Sequence, residues 1–84
     1  MFWRENLYGG DTLEIKTLKK AVIHVMNSME IGRRFYGYDF QESVAMYYPK
    51  AKNCYVDTVL RAARKHCRDM FKVVDRTRSL YERI

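Results

Sequence analysis

Long apolar runs are missing from this sequence, since none approaches the roughly 20 residues that a helix needs to cross a membrane. The first residues also lack the charged and apolar segments of a secretory signal, so we expect a cytoplasmic protein without membrane association. A chain of 84 residues provides one modest core and leaves little space for a deep substrate cleft. The function is therefore expected to lie on the surface of a single domain.

Cysteine, histidine and glycine are also scarce. Cys54 and Cys67 fall on one predicted helix, about 20 Å apart along its axis, which excludes an intrachain disulfide. With His24 and His66 they supply no paired metal-ligand spacing, and Cys67 is expected to be a small buried residue. The four glycines form no phosphate-binding loop, and no nucleophile motif is present. We therefore predict no metal, no cofactor, no small-molecule ligand and no enzymatic activity.

Proline occurs once, and Pro49 divides the charge of the chain. Residues 1–48 hold six basic and six acidic side chains, whereas residues 49–84 hold ten basic and four acidic ones. The whole net charge of +6 therefore lies in the second part. Such a segregated positive field suits a polyanionic partner, although a basic face that only aids solubility would have the same composition.

The first half of the chain predicts a short arm followed by a helix. Gly9 and Gly10 separate an aromatic arm, residues 1–10, from a single domain, residues 11–84. Asp11 with Glu14 three residues later is typical of a helix start, and this first helix is expected to end near Gly32. Its core face carries apolar residues at steps of three and four: Ile15, Leu18, Val22, Val25 and Met29.

Two more helices are predicted around Pro49. A brief extended segment, residues 33–37, is expected to lie against a sheet edge, and Asp39 with Glu42 then begins a short second helix. Asn53 is a good N-cap for a third helix, residues 53–68. Its buried face is expected to carry Val56, Val59, Leu60, Ala63 and Cys67. Thr58, Arg61 and Lys65 point away from that face, flanked by Asp57, Arg64 and Arg68.

Beyond the third helix the sequence predicts a β-hairpin. Residues 70–74 and 80–84 are rich in aromatic, β-branched or alternating apolar residues, and the polar residues 75–79 between them carry Arg76 and Arg78. Because an isolated hairpin is marginally stable, it must pack on the helices. The predicted class is mainly α with a small antiparallel hairpin, that is α+β.

Three segments relate this chain to a known family. Residues 35–40 (FYGYDF) enter the second helix, residues 55–64 (YVDTVLRAAR) occupy the position of a recognition helix, and residues 71–81 (FKVVDRTRSLY) form a wing. In their order and spacing, residues 11–84 resemble the winged helix-turn-helix family of DNA-binding domains. The resemblance implies that the third helix enters the major groove and that residues 75–79 reach the backbone or minor groove. Many members place a glycine before the first wing strand, whereas residues 67–70 contain none.

The side chains of these segments suit duplex DNA. Arg61 is the foremost candidate for base readout, because a guanidinium can make a bidentate contact to guanine. The other residues expected to face the groove are Asn53, Tyr55, Thr58 and Lys65. Phosphate contacts are expected from Lys50, Lys52, Arg64, Arg68, Arg76 and Arg78. The sequence thus predicts sequence-specific binding of double-stranded DNA by a small transcriptional regulator.

A different function remains open, because winged helices also serve as protein-interaction modules or assembly subunits without DNA binding. Aromatic residues favour this alternative, since they suit a docking or homodimer surface, although some must complete the core: Phe2, Trp3, Tyr8, Tyr36, Tyr38, Tyr47 and Tyr48. RNA binding is less favoured, because the predicted hairpin is too small to form a stacking platform.

Overall fold

A computed structural model of the chain describes residues 15–84. The elements, in chain order, are α1 (Leu18–Ser28), β1 (Arg34–Tyr36), α2 (Gly37–Tyr47), a 3-10 helix (Pro49–Asn53), α3 (Val56–His66), β2 (Phe71–Asp75) and β3 (Leu80–Arg83). This confirms the predicted α+β class, with the hairpin following the last helix. The predicted arm (Phe2, Trp3 and Tyr8) and the predicted helix start at Asp11 lie outside the described residues.

The sheet has three antiparallel strands in the order β1-β3-β2. Strands β2 and β3 form the predicted hairpin, with a register shift between Val73 and Asp75. The extended segment predicted after Gly32 forms strand β1, which joins the hairpin as a third strand and pairs Phe35 with Tyr81. The hairpin is therefore joined by hydrogen bonds to the segment that leads into α2.

The core lies between the three helices and one face of the sheet. Its largest fully buried side chains are Phe40, Met26, Val22, Val44 and Val59. The expected stripe of α3 is confirmed, since Val59, Leu60, Ala63 and Cys67 are buried and Val56 packs against them half-buried. In α1, Val22 and Val25 are buried, while Ile15, Leu18 and Met29 are partly buried against the same core. Phe35 links the layers, with its ring centroid 5.5 Å from that of Phe40 and 5.7 Å from that of Tyr81.

The start of α1 differs from the prediction. The backbone N–H of Ile15 donates to the carbonyl of Tyr47 at 2.9 Å, so the chain at this point lies along the end of α2 and is not helical. Thr17 is the N-cap, and its Oγ1 accepts a hydrogen bond from Lys20 N at 3.2 Å. The prediction of a helix already under way at Ile15 is therefore wrong.

The starts of α2 and α3 are also displaced. Asp39 lies inside the first turn of α2, because the pairing of β1 and a hydrogen bond from Gly37 N to Ser79 O fix the helix start two residues earlier. Asn53 ends the 3-10 helix and does not cap α3, whose N-cap is Tyr55. Cys54 consequently precedes α3, whereas Cys67 is its C-cap.

The side chain of Gln41 explains the late start of α3. Its Nε2 donates to the carbonyls of Ala51 at 2.9 Å and of Cys54 at 2.6 Å, so α2 holds the turn in its 3-10 form. Within that turn, Cys54 N also donates to Ala51 O at 3.1 Å. Long-range hydrogen bonds thus override the local capping preference of Asn53.

The side chain of Arg83 links the end of β3 to α1 and to the residue before β2. Its guanidinium Nε donates to the carbonyl of Met26 in the last turns of α1 at 2.9 Å, and its Nη1 donates to Met70 O at 3.3 Å. The cation therefore lies at the carboxyl end of α1, where the helix dipole favours positive charge. None of the three helices in residues 15–84 has the length and apolar character that crossing a bilayer requires.

Candidate nucleic-acid interface

The outer face of α3 carries the residues that helical geometry predicted there. Because α3 packs on α1 and α2 through Val59, Leu60 and Ala63, the opposite face is left to solvent. The exposed side chains of this face are Asp57, Thr58, Arg61, Arg64 and Lys65, with Arg68 just beyond the helix end. The last turn of the helix is basic, as the negative end of the helix dipole favours.

Asp57 pairs with two of these cations. Its Oδ2 lies 2.7 Å from Nη2 of Arg61, one turn further along, and its Oδ1 lies 3.6 Å from Nη2 of Arg64. Lys65 and Arg68 make no ion pair with another residue of the described part. The positive field of α3 is therefore weaker around Arg61 than the number of basic residues on the helix suggests. The i,i+4 spacing of Asp57 and Arg61 is the signal in the sequence that identifies this pair.

The loop between β2 and β3 is closed by Asp75. Its Oδ1 accepts hydrogen bonds from Thr77 N at 3.0 Å and Arg78 N at 3.3 Å, and its Oδ2 accepts one from Arg78 Nε at 2.9 Å. The hydrogen bond from the Arg78 side chain, followed by that from the Arg78 backbone, holds the pKa of Asp75 below its ordinary value. Arg78 is thereby tied to the loop, while Arg76 is exposed and forms no ion pair with the residues described.

Gly37 is the point at which the loop, α2 and α3 meet. Its N–H donates to Ser79 O at 2.9 Å. A Cβ built on Gly37 would lie 2.7 Å from Ser79 Oγ, 2.9 Å from Leu60 Cδ1 and 3.1 Å from Val56 Cγ1, so only glycine fits without displacement. The end of the loop, where Ser79 has a left-handed φ of 55°, is thus held beside the N-terminal half of α3.

The 3-10 helix contributes the remaining site residues. Ala51 is buried, whereas the flanking Lys50 and Lys52 are exposed, and so are Asn53 and Tyr55. Tyr55 is 84% exposed at the N-cap of α3. All eleven predicted site residues are therefore on the surface. Thr58, Arg61, Arg76 and Arg78 belong to the two segments that meet around Gly37, whereas Arg64, Lys65 and Arg68 lie towards the other end of α3, with Arg68 about 18 Å from its first residue along the helix axis.

No family model matches this chain, and no curated protein or solved structure matches it either. In residues 15–84 no group of three or more His, Cys, Asp or Glu side chains is arranged so as to hold a metal ion.

Two tyrosines beside the loop were predicted only as part of a docking or homodimer surface and not as contacts to DNA. The rings of Tyr36 and Tyr38 stack with centroids 5.7 Å apart and an interplanar angle of 13°. Tyr36 pairs with Leu80 of β3, the residue that follows Ser79 at the end of the loop. Tyr38 is more than half exposed. No periodicity in the sequence joins these rings to the loop, since the proximity depends on the pairing of β1 with β3.

Proposed function

We propose that this chain binds double-stranded DNA sequence-specifically, as a small transcriptional regulator, with α3 in the major groove. Residues 75–79 would then lie against the backbone or the minor groove. The observation that supports this best is the junction at Gly37, which holds the loop beside the N-terminal half of α3. In the proposed complex, the basic side chains of the loop and those of the outer face of α3 would contact the same duplex from two separate parts of the chain.

The outer face of α3 has the chemistry for base readout. A helix fits the major groove, where arginine recognises the N7 and O6 atoms of guanine. Arg61 must leave Asp57 to do so, but an exposed ion pair is worth at most about 1 kcal/mol. A bidentate contact to guanine discriminates against the wrong base by about 1–3 kcal/mol, so the cost of parting from Asp57 is no larger than the preference that the contact supplies. Thr58 and Lys65 lie on the same face.

The phosphates would be contacted from both sides of the helix. Lys50 and Lys52 precede α3, Arg76 is exposed on the loop, and Arg78 is exposed there while paired with Asp75. Each phosphate contact releases counterions, so the logarithm of the affinity falls with the logarithm of the salt concentration by about 0.9 per contact. A salt-dependent affinity of this kind is a direct measure of the proposed interface.

The test is a titration of a labelled nonspecific duplex at two salt concentrations, followed by fluorescence anisotropy and by the amide shifts of α3 and the loop. We expect a steep salt dependence, with shifts concentrated in these two segments. The double variant Arg61→Ala with Lys65→Ala should bind this duplex at least about tenfold more weakly, because it removes two cations from the proposed contact surface.

A matched control is offered by Lys19→Ala with Lys20→Ala. This variant loses the same two charges from exposed positions of α1, whose core side packs against α3. We expect only the small loss that a lower net charge causes. If the two double variants bound duplex equally well, α3 would not be the recognition helix. A randomised-oligonucleotide selection that returned no preferred site would contradict sequence-specific binding.

A further inference from the structure

A cleft between β1 and α2 lies outside the proposed DNA surface. Two adjoining hollows of about 190 and 530 Å³ share the same five lining residues: Arg33, Phe35, Asp39, Ser43 and Met46. Phe35 is buried beneath the cleft, whereas Met46 is 73% exposed. A methionine so exposed beside an open cleft is a candidate contact for another molecule.

The cleft carries both signs of charge on opposite sides. Arg33 stands beside β1, and Asp39 and Glu42 stand on α2; all three are exposed. None of them forms an ion pair with another residue of 15–84, in contrast to Arg34, whose Nε lies 3.1 Å from Glu82 Oε1. The positive side and the negative side of the cleft are thus both available to a partner.

The position of the cleft on α2 separates it from α3. Gly37 and Gln41 face α3 and the 3-10 helix, as their contacts with Leu60 and Ala51 demonstrate. Asp39, Ser43 and Met46 recur at steps of four and three and form a different face of the same helix. A molecule bound in the cleft would therefore leave the outer face of α3 open, although Glu42 and Met46 also line a hollow that extends to Lys52 of the 3-10 helix.

We propose that the cleft binds a second copy of this chain in a two-fold symmetric dimer, with Arg33 of each copy against Glu42 of the other. A two-fold interface brings the same patch of both copies together, so it requires a patch that is complementary to itself. This patch can be complementary to itself, because Arg33 beside β1 and Asp39 and Glu42 on α2 carry opposite charges and the exposed Met46 lies next to them. A uniformly acidic partner would be repelled by Asp39 and Glu42, and a uniformly basic one by Arg33. The dimer does not depend on DNA binding.

Charge reversal in the full chain tests this proposal without DNA. Sedimentation of the wild type should show a monomer-dimer equilibrium over a series that reaches about 1 mM. Arg33→Glu alone and Glu42→Lys alone should each weaken self-association at least about 100-fold, because two-fold symmetry repeats the like-charge contact. The two single variants mixed in equal amounts should form a heterodimer, since each copy then meets an opposite charge at both contacts.

The mixture separates an intermolecular contact from a role within one chain, because only an intermolecular contact is restored by mixing. Circular dichroism checks that both exposed substitutions leave the fold intact. Met46→Glu is an independent variant, and it should weaken the dimer because a charge that must lose its water on association replaces an apolar contact. A wild type that stayed monomeric throughout, or single variants that dimerised like the wild type, would overturn the proposal. So would a mixture that remained monomeric.

Discussion

Arg61 and Asp57 lie one turn apart on the outer face of α3, with Nη2 of the arginine 2.7 Å from Oδ2 of the aspartate. Their side chains are 77% and 64% exposed, so the pair adds little to the stability of the fold. Its larger effect concerns the proposed DNA surface. The carboxylate holds the guanidinium against the helix and also opposes the approach of phosphates.

We therefore expect Asp57→Asn to raise duplex affinity several-fold, because Arg61 is released and a repelling charge is lost. Asp57 lies in the first turn of α3, so the variant should also lose about 0.3–1 kcal/mol of favourable interaction with the helix dipole. Fluorescence anisotropy measures the first effect and urea denaturation the second. Asp69→Asn removes the same charge from an exposed position after α3 and should change affinity less. A weaker Asp57→Asn complex would show instead that the aspartate assists binding.

Gly37→Ala should destabilise the fold by about 1–3 kcal/mol, because the new methyl group overlaps Ser79 Oγ and Leu60 Cδ1. At a position without such contacts, the same substitution commonly stabilises a protein. Urea denaturation gives the value. Adding Ser79→Gly removes the nearest atom and relieves the left-handed φ of that residue, so part of the loss should be recovered.

A control for this pair is Gly32→Ala. Gly32 has a φ of 93°, but no heavy atom lies within 4 Å of the position that a Cβ would occupy, so its substitution costs backbone strain alone. Ser79→Gly should not compensate for Gly32→Ala, because the two positions share no contact of this kind. Equal recovery in both double variants would contradict the steric account of Gly37.

The elements of this fold follow from local patterns in the sequence, whereas their boundaries depend on distant residues. Apolar spacing predicts the buried face of α3, and β-branched and aromatic residues predict β2 and β3. Asn53 has the side chain of a good N-cap, yet Gln41, twelve residues earlier, fixes the turn in a 3-10 form. The start of α2 likewise depends on Ser79, which is far away in sequence. Capping rules consider only neighbouring residues in the sequence, so they do not take Gln41 or Ser79 into account.

The candidate site shows the same division. Helical geometry places Arg61 and Lys65 on the outer face of α3, and the structure agrees. Nothing in the local sequence pattern fixes how close the loop lies to the start of α3. In the structure this close approach depends on Gly37, because a side chain there would overlap Ser79 and Leu60. The cleft beside Met46 has no sequence signal, because Arg33 and Asp39 come from different elements and are joined only by the fold.

Gln41→Met should lower stability by about 1–3 kcal/mol, because the carbonyls of Ala51 and Cys54 lose their shared donor in a partly buried setting. Methionine has nearly the same length, so the packing changes little. Amide hydrogen exchange should show faster exchange at Cys54 N, which bonds within the same turn. Unchanged exchange there, together with unchanged stability, would mean that the glutamine does not hold the turn.

Protonation of Asp75 should loosen the loop at low pH. Hydrogen bonds from Arg78, chiefly from its side chain, lower the pKa of this carboxyl in the folded protein. The folded state therefore favours the ionised form. Its contribution to stability is complete above the ordinary carboxyl pKa of about 3.9 and is lost as the pH falls through the lower folded value.

The matched variant is Asp75→Asn, whose side-chain oxygen still accepts from the backbone N–H groups of Thr77 and Arg78 but carries no charge. We expect the wild type to be more stable than this variant near neutral pH, with the difference shrinking once the carboxyl is protonated. Urea denaturation at a series of pH values measures that difference. The carboxyl carbon of Asp75 should titrate at higher pH in Arg78→Ala, because the main cause of the lowered pKa is then absent. An identical titration in wild type and Arg78→Ala would show that the arginine does not hold the loop carboxylate.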